Sequence, residues 1–278
     1  FVWVWVAAVI CGGLACIGFP SAVVRFIPQY QVAGDIASVR GIVFGSRLYS
    51  MLTASLIAIV GISLTYWFEP FITNVYVLPL YLGAICLPML ALAEVQDGVA
   101  RSFSWIDIAL TPTYLVRPII ILLAMVAALA WGMEASAKTA LVVSIVATWG
   151  TSVGQLLILN RRLSKTIKSG TRKLQPKVWI AVSLPIFLVE GFFTLLTNVD
   201  ILIAGAYVDP DQVAIYFASV KTLALVHFVY FAVKAGAAHR YSQYHSSGNT
   251  IQYEAFVRDT VRWTFWPSLF MGLLLLAT

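Results

Sequence analysis

Glu190, Asn198 and Asp200 interrupt one long apolar run of the chain, and Lys221 and His227 interrupt the next; the two runs are joined by the short polar turn DPDQ. Carboxylates at such positions bind a proton or a cation, and a lysine binds an anion. An ionised group at the centre of a membrane helix costs about 2.5–3.5 kcal/mol on insertion scales. Groups that expensive face a bundle interior or a water-filled cavity. On a helical wheel Glu190, Thr194, Thr197 and Asn198 share one face, so the first run carries a polar stripe, with Asp200 about 80° away from it. The competing reading is that these groups only tie helices together. His227 has two readings in the same way, a proton relay or a packed, hydrogen-bonded helix contact. Three more bases, Arg25, Arg47 and Arg117, lie in or at the ends of other apolar runs. They either face a polar cavity or reach back to the membrane surface along their own alkyl stems.

Composition indicates what must position these groups. Of 278 residues, 60% are hydrophobic and 11% charged, and the mean hydropathy is +0.89. Soluble domains carry roughly 25% charged residues, so an all-α integral membrane protein is expected. The net charge of +6 is concentrated in a few loops, which points to membrane orientation; nucleic acid is not an expected partner. Cys11, Cys16 and Cys86 all fall in apolar runs and show neither disulfide nor zinc spacing. No catalytic residue, metal ligand or cofactor is assigned. The chain opens on Phe1 inside an apolar run and closes on a run shorter than the ~20 residues a span needs, so it reads as an internal piece of a longer protein.

Seven complete spans are expected, at about 1–24, 42–67, 75–95, 110–132, 139–159, 178–205 and 212–236, with a partial eighth from Trp263. Connectors after the first, third, fifth and seventh carry nearly all the Lys and Arg. The most basic is 160–177, with Arg161, Arg162, Lys165, Lys168, Arg172, Lys173 and Lys177 and no acid. The positive-inside rule makes these connectors cytoplasmic and places residue 1 outside. The 160–177 segment reads as a topology signal and linker, with contact to anionic lipid as its alternative. QYQVAGD at 29–35 aligns without gaps on QYHSSGN at 243–249, six spans apart. Parallel repeats of six helices build some transporters around a substrate path between two lobes. The expected division is 1–160 as an N-terminal lobe lacking its first helix, 161–177 as a basic linker, and 178–278 as the start of a C-terminal lobe.

At these residues the chain resembles a known family. IGFPSAVVRFIPQYQVAGD is similar to the second helix and first cytoplasmic connector of polysaccharide flippases of the multidrug/oligosaccharidyl-lipid/polysaccharide superfamily. NVDILIAGAYVDPDQVAIYFASVKTLAL is similar to their seventh and eighth helices, through Asn198, Asp200, Leu202 and Gly205, then Tyr216 and Lys221, with Phe217-Ala218 displacing the small residue by one. The resemblance implies a two-lobe transporter of the bacterial inner membrane. It would move an O-antigen or exopolysaccharide precursor on an undecaprenyl-pyrophosphate carrier by alternating access. The cargo's pyrophosphate would meet Arg25, Arg47, Arg117 and Lys221. Glu190, Asn198 and Asp200 would balance those charges or couple H⁺ or Na⁺. A cation-coupled multidrug antiporter of the same superfamily is the rival reading. A membrane enzyme is not expected, for want of a large outward loop with paired carboxylates; a non-transporting scaffold has the same sequence features.

Overall fold

The computed structural model describes the backbone of residues 1–246 and 250–277, and their side chains except at 75, 225, 227, 228, 231, 232, 234–236, 238–246 and 277. Among the described residues every regular element is helical: α1 (Val2–Ala15), α2 (Phe19–Val32), α3 (Ile36–Trp67), α4 (Asn74–Ser102), α5 (Ile106–Leu110), α6 (Arg117–Ala130), α7 (Ala137–Thr166), α8 (Pro176–Leu196), α9 (Val199–Tyr207), α10 (Pro210–Ser246) and α11 (Thr250–Ala277). Six stretches among the described residues are long and apolar enough to cross a membrane: Val2–Val32, Ile36–Trp67, Tyr76–Ser102, Ile106–Ala130, Ala137–Thr166 and Pro176–Leu196. The protein is an all-α, multi-pass membrane protein. These six correspond to the first six spans expected from sequence. The expected seventh falls in α10, partly on side chains outside the described residues; of the second copy of the QY…G repeat, 243–249, the side chains and residues 247–249 lie outside them.

The chain forms two compact units, Phe1–Ala206 and Tyr207–Thr278. In the second, α10 and α11 pack on each other. In the first, α4 is the central helix and touches α1, α2, α3, α5 and α7. Its faces carry Cys86, Leu87, Ala91, Val95, Val99 and Ala100 into the core. Large apolar side chains of α3, α6 and α8 point outward, Leu56, Leu122 and Leu188 among them. In water that surface would be a liability; in a bilayer it is the lipid-facing coat. Tyr66 and Trp67 end α3 and Trp131 ends α6, all strongly exposed, as aromatic side chains are at a membrane–water boundary.

Three spans are interrupted, and each interruption has a local cause. The first expected span does not close at residue 24: the helix breaks at Cys16–Gly18 and then runs on to Val32. Ile17 and Gly18 take left-handed backbone angles, φ 48° and 70°, and Pro20 brings no N–H to continue the ladder. The Cys16 carbonyl accepts from the Phe19 amide at 3.0 Å and from the Ser50 hydroxyl of α3 at 3.4 Å, and the Ala15 carbonyl is met by the Thr53 hydroxyl of α3. A Cβ at residue 18 would run into the Ser183 carbonyl and the Phe187 nitrogen of α8, so glycine fits this corner on both counts.

In the span Ile106–Ala130, a π-helical turn at Thr111–Val116 separates α5 from α6. Pro112 leaves the Ile108 carbonyl without its usual donor, and Gln155 of α7 donates to it at 3.0 Å. The same helix pair is fastened at its end by Arg162, which lies 2.9 Å from Asp107 and 4.8 Å over the Trp105 ring. The sixth expected span, 178–205, is likewise two helices. α8 stops at Leu196, and the Asn198 side chain donates to the Thr194 carbonyl and the Thr197 hydroxyl, both at 3.0 Å, before α9 begins. Trp3 of α1 holds α9 by donating to the Leu202 carbonyl at 3.2 Å.

Candidate functional site

The break between α1 and α2 opens a cleft of about 380 Å³ against α4 and α8. Gly13, Gly18 and Gly191 on its walls leave the space, and Ser21, Glu94, Arg101, Glu190 and Thr194 bring polar groups to it. The Ser21 hydroxyl donates to the Glu190 carboxylate. Glu94 and Glu190 therefore line one cleft. Arg101 brings a guanidinium to the same cleft. Asp97 and Arg101 form an ion pair at 3.1 Å, one helical turn apart on α4. Glu94, Asp97 and Arg101 stand at i, i+3 and i+7, so one stripe of α4 carries all three.

Sequence reading missed this stripe. It ends the third span near residue 95 and places Glu94, Asp97 and Arg101 in a polar connector, whereas α4 runs unbroken to Ser102. A signal was present: Val95, Val99 and Ala100 between the charges are fully buried, the apolar half of a helical period. Gln96 is buried too, and its amide donates to the Ser152 carbonyl on α7 at 3.2 Å, while the Ser152 hydroxyl returns a bond to Met89 on α4 at 3.1 Å. That polar seam is helix glue of the kind bundles use in lipid.

The residues singled out from sequence do not form one constellation. Glu190 lines the cleft. Asn198 shapes the corner between α8 and α9. Asp200 is half-buried in the first turn of α9 and is not among the residues lining the cleft. Arg117 does not sit near a span end: it follows the π-helical turn midway along Ile106–Ala130 and is half-buried. Arg25 is exposed on α2. Arg47 lies outside this cleft, with Nη1 2.7 Å from the Asn160 side-chain oxygen on α7. Lys221 belongs to the second unit, exposed, with Nζ 5.2 Å from the Phe217 ring centroid. The His227 side chain lies outside the described residues.

Chemically, the cleft offers two carboxylates, a hydroxyl donor and a guanidinium in helices otherwise apolar. Such a set can hold and release a proton or cation at the carboxylates, and can meet an oxyanion with the planar donor fork of arginine. No group of three or more His, Cys, Asp or Glu side chains with metal-site geometry occurs among the described residues. Comparison with known proteins finds no match to the chain, whether among family models, curated proteins or solved structures.

Proposed function

We propose that this protein is a transporter that moves a lipid-linked, pyrophosphate-bearing oligosaccharide across the membrane by alternating access, as one part of a two-lobe helical bundle. The observation that carries the reading is the Ser21–Glu94–Arg101–Glu190 cleft. An ionised group at the centre of a membrane helix costs about 2.5–3.5 kcal/mol. The spans of the first unit hold Glu94, Asp97, Arg101, Arg117 and Glu190, and three of these, Glu94, Arg101 and Glu190, line the cleft. A bundle held together by packing alone has no use for them. A pathway for a charged cargo needs them. In the resting state Glu94, Asp97 and Glu190 balance Arg101 and Arg117; a pyrophosphate entering the cleft would take over the two arginines and release the carboxylates. The choice of a glycan-lipid cargo rests on the resemblance in IGFPSAVVRFIPQYQVAGD and NVDILIAGAYVDPDQVAIYFASVKTLAL.

A second reading is favoured by one feature, the pair Glu94 and Glu190 in a single cleft. Such a pair suits a cation-coupled exporter, in which the carboxylates trade H⁺ or Na⁺ for an organic cation. The two readings separate in proteoliposomes of the full-length protein. A flippase translocates a fluorescent lipid-pyrophosphate oligosaccharide, and Arg101→Gln lowers that rate at least tenfold with insertion unchanged. An antiporter instead accumulates a fluorescent organic cation under an imposed proton or sodium gradient, and Glu94→Gln abolishes it. Uptake of the cation together with no movement of the glycan lipid would overturn the first reading.

A further inference from the structure

A second cleft, of about 530 Å³, lies between α3, α7 and the segment that follows α7. Four of its lining side chains are cations, Arg40, Arg47, Lys168 and Arg172, and no Asp or Glu lines it. Like charges gathered without a counter-charge repel one another and together favour an anion. The gathering is built into the fold. Arg40 holds the 168–171 segment by donating to the Thr171 carbonyl at 2.8 Å and to the Lys168 carbonyl. The Arg172 guanidinium lies 4.3 Å from the centroid of the Phe44 ring. The Lys173 nitrogen donates to the Ala37 carbonyl at 3.0 Å, at a place where a Cβ on Gly41 would collide with the Lys173 carbonyl.

Arg47 gives the cleft its chemistry. Its Nη1 is satisfied by Asn160. Its Nε and Nη2 are shut off from solvent and have no hydrogen-bond partner. A guanidinium stays charged and carries five donors, so an unpaired buried edge is costly. Nε and Nη2 form the edge that meets two oxygens of a phosphate or carboxylate in parallel.

Depth identifies the anion's source. From Leu48 onward α3 shows lipid-facing side chains, Leu52, Leu56, Ile59 and Leu64, as far as Trp67. At 1.5 Å per residue that run covers about 30 Å, the thickness of a hydrocarbon core. On α7 the lipid-facing residues Val146, Trp149, Val153 and Leu157 give way to Asn160. The Arg47–Asn160 bond thus joins the two helices where hydrocarbon meets headgroups.

We propose that this cleft binds the phosphate of an anionic membrane lipid, with Arg40, Arg47, Lys168 and Arg172 around it and the Arg47 side chain turning its Nε–Nη2 edge out of the protein to take two phosphate oxygens. The site is separate from the Glu94–Glu190 cleft and does not rest on the transport reading.

The experiment uses the full-length protein in a zwitterionic detergent and reads its thermal midpoint in two titrations, one with short-chain phosphatidylglycerol and one with inorganic phosphate. Phosphatidylglycerol raises the midpoint of the parent by several degrees, with little effect from equimolar inorganic phosphate. Arg47→Gln and Asn160→Asp lose at least half of that rise, the second because its new carboxylate occupies Arg47. Without lipid, neither variant unfolds below the parent, since each removes or pairs a stranded charge. Lys165→Gln removes a charge from the same segment outside the cleft and keeps the full rise. An equal rise in Arg47→Gln and the parent would overturn the proposal, and so would an equal loss in Lys165→Gln, which would mean diffuse surface charge. A rise caused by inorganic phosphate as strongly as by the lipid would overturn the headgroup assignment.

Discussion

Ser21 on α2 and Glu190 on α8 are joined by a hydrogen bond between hydroxyl and carboxylate, across 169 positions of sequence. It ties the segment after the first helix break to the polar stripe of the sixth span. Bonds of this kind in membrane proteins contribute about 0.6 kcal/mol on average and up to ~1.7. Ser21→Ala should therefore lower unfolding stability in detergent by about 1 kcal/mol. Charge-assisted bonds are about twice as strong as neutral ones, so the same change made in a Glu190→Gln background should cost about half as much. An identical cost in both backgrounds would show that Ser21 stabilises the bundle without acting on the Glu190 charge.

Gln155 and Pro112 should be coupled. Gln155→Leu strands the Ile108 carbonyl and should destabilise by about 1–3 kcal/mol. Pro112→Ala returns a backbone N–H four residues after Ile108, so Gln155→Leu should cost clearly less in that background. The readout is a double-mutant cycle of unfolding midpoints, and a coupling near zero would remove Pro112 as the cause of the π-helical turn.

Two glycines with left-handed angles make a matched pair. Gly18 (φ 70°) is hemmed in by α8, whereas Gly34 (φ 71°) has open space where a Cβ would go. Gly34→Ala should cost only the backbone strain, about 1–2 kcal/mol. Gly18→Ala adds a collision with backbone atoms of α8 and should cut the yield of folded protein well below that of Gly34→Ala. Equal yields would mean that α8 yields freely at this corner.

Asp35 supplies a pH-dependent contribution outside the spans. Bonds from the Ser38 hydroxyl and amide, at 2.7 and 3.0 Å, hold its carboxyl below the ordinary value of 3.8, and Lys173 at 3.7 Å adds to the effect. A carboxylate depressed on folding stabilises the folded state fully above its unfolded pKa and loses that contribution as pH falls through the lower folded value. Asp35→Asn keeps an acceptor and removes the charge. The stability gap between parent and variant should stay level at neutral pH and close on acidification below 3.8. A gap that widens on acidification would reverse the sign of the effect.

Helix type and approximate position were legible throughout the first unit, because runs of Leu, Ile, Val and Ala leave few other choices in lipid. Glu190 stood out for the same reason, as a single acid among apolar neighbours. Glu94 did not: Gln96, Asp97 and Arg101 follow it closely, and together they look like a loop to any reading based on average hydropathy. A helix face turned inward lowers that average without ending the helix. Arg117 was misplaced because the π-helical turn and the segment before it, Ile106–Leu110, belong to the same span. The breaks at Cys16–Gly18 and Thr197–Asn198 depend on partners from α3 and on side-chain bonds that only the folded chain brings together, although Gly18-Phe19-Pro20 and Thr197-Asn198 mark the places.

The carbonyls left open at the helix breaks bear on how the protein is made. Ala15 finds its donor on Thr53, and Ile108 finds its donor on Gln155. In hydrocarbon an unsatisfied backbone group costs several kcal/mol, so each interrupted span carries a penalty until its partner helix arrives. During synthesis the first must wait at the insertion machinery for α3, about thirty-five residues later, and the fourth for α7. Insertion of this chain therefore proceeds in helix pairs rather than one helix at a time, and its biogenesis is most vulnerable in the intervals between each broken helix and the partner that completes it.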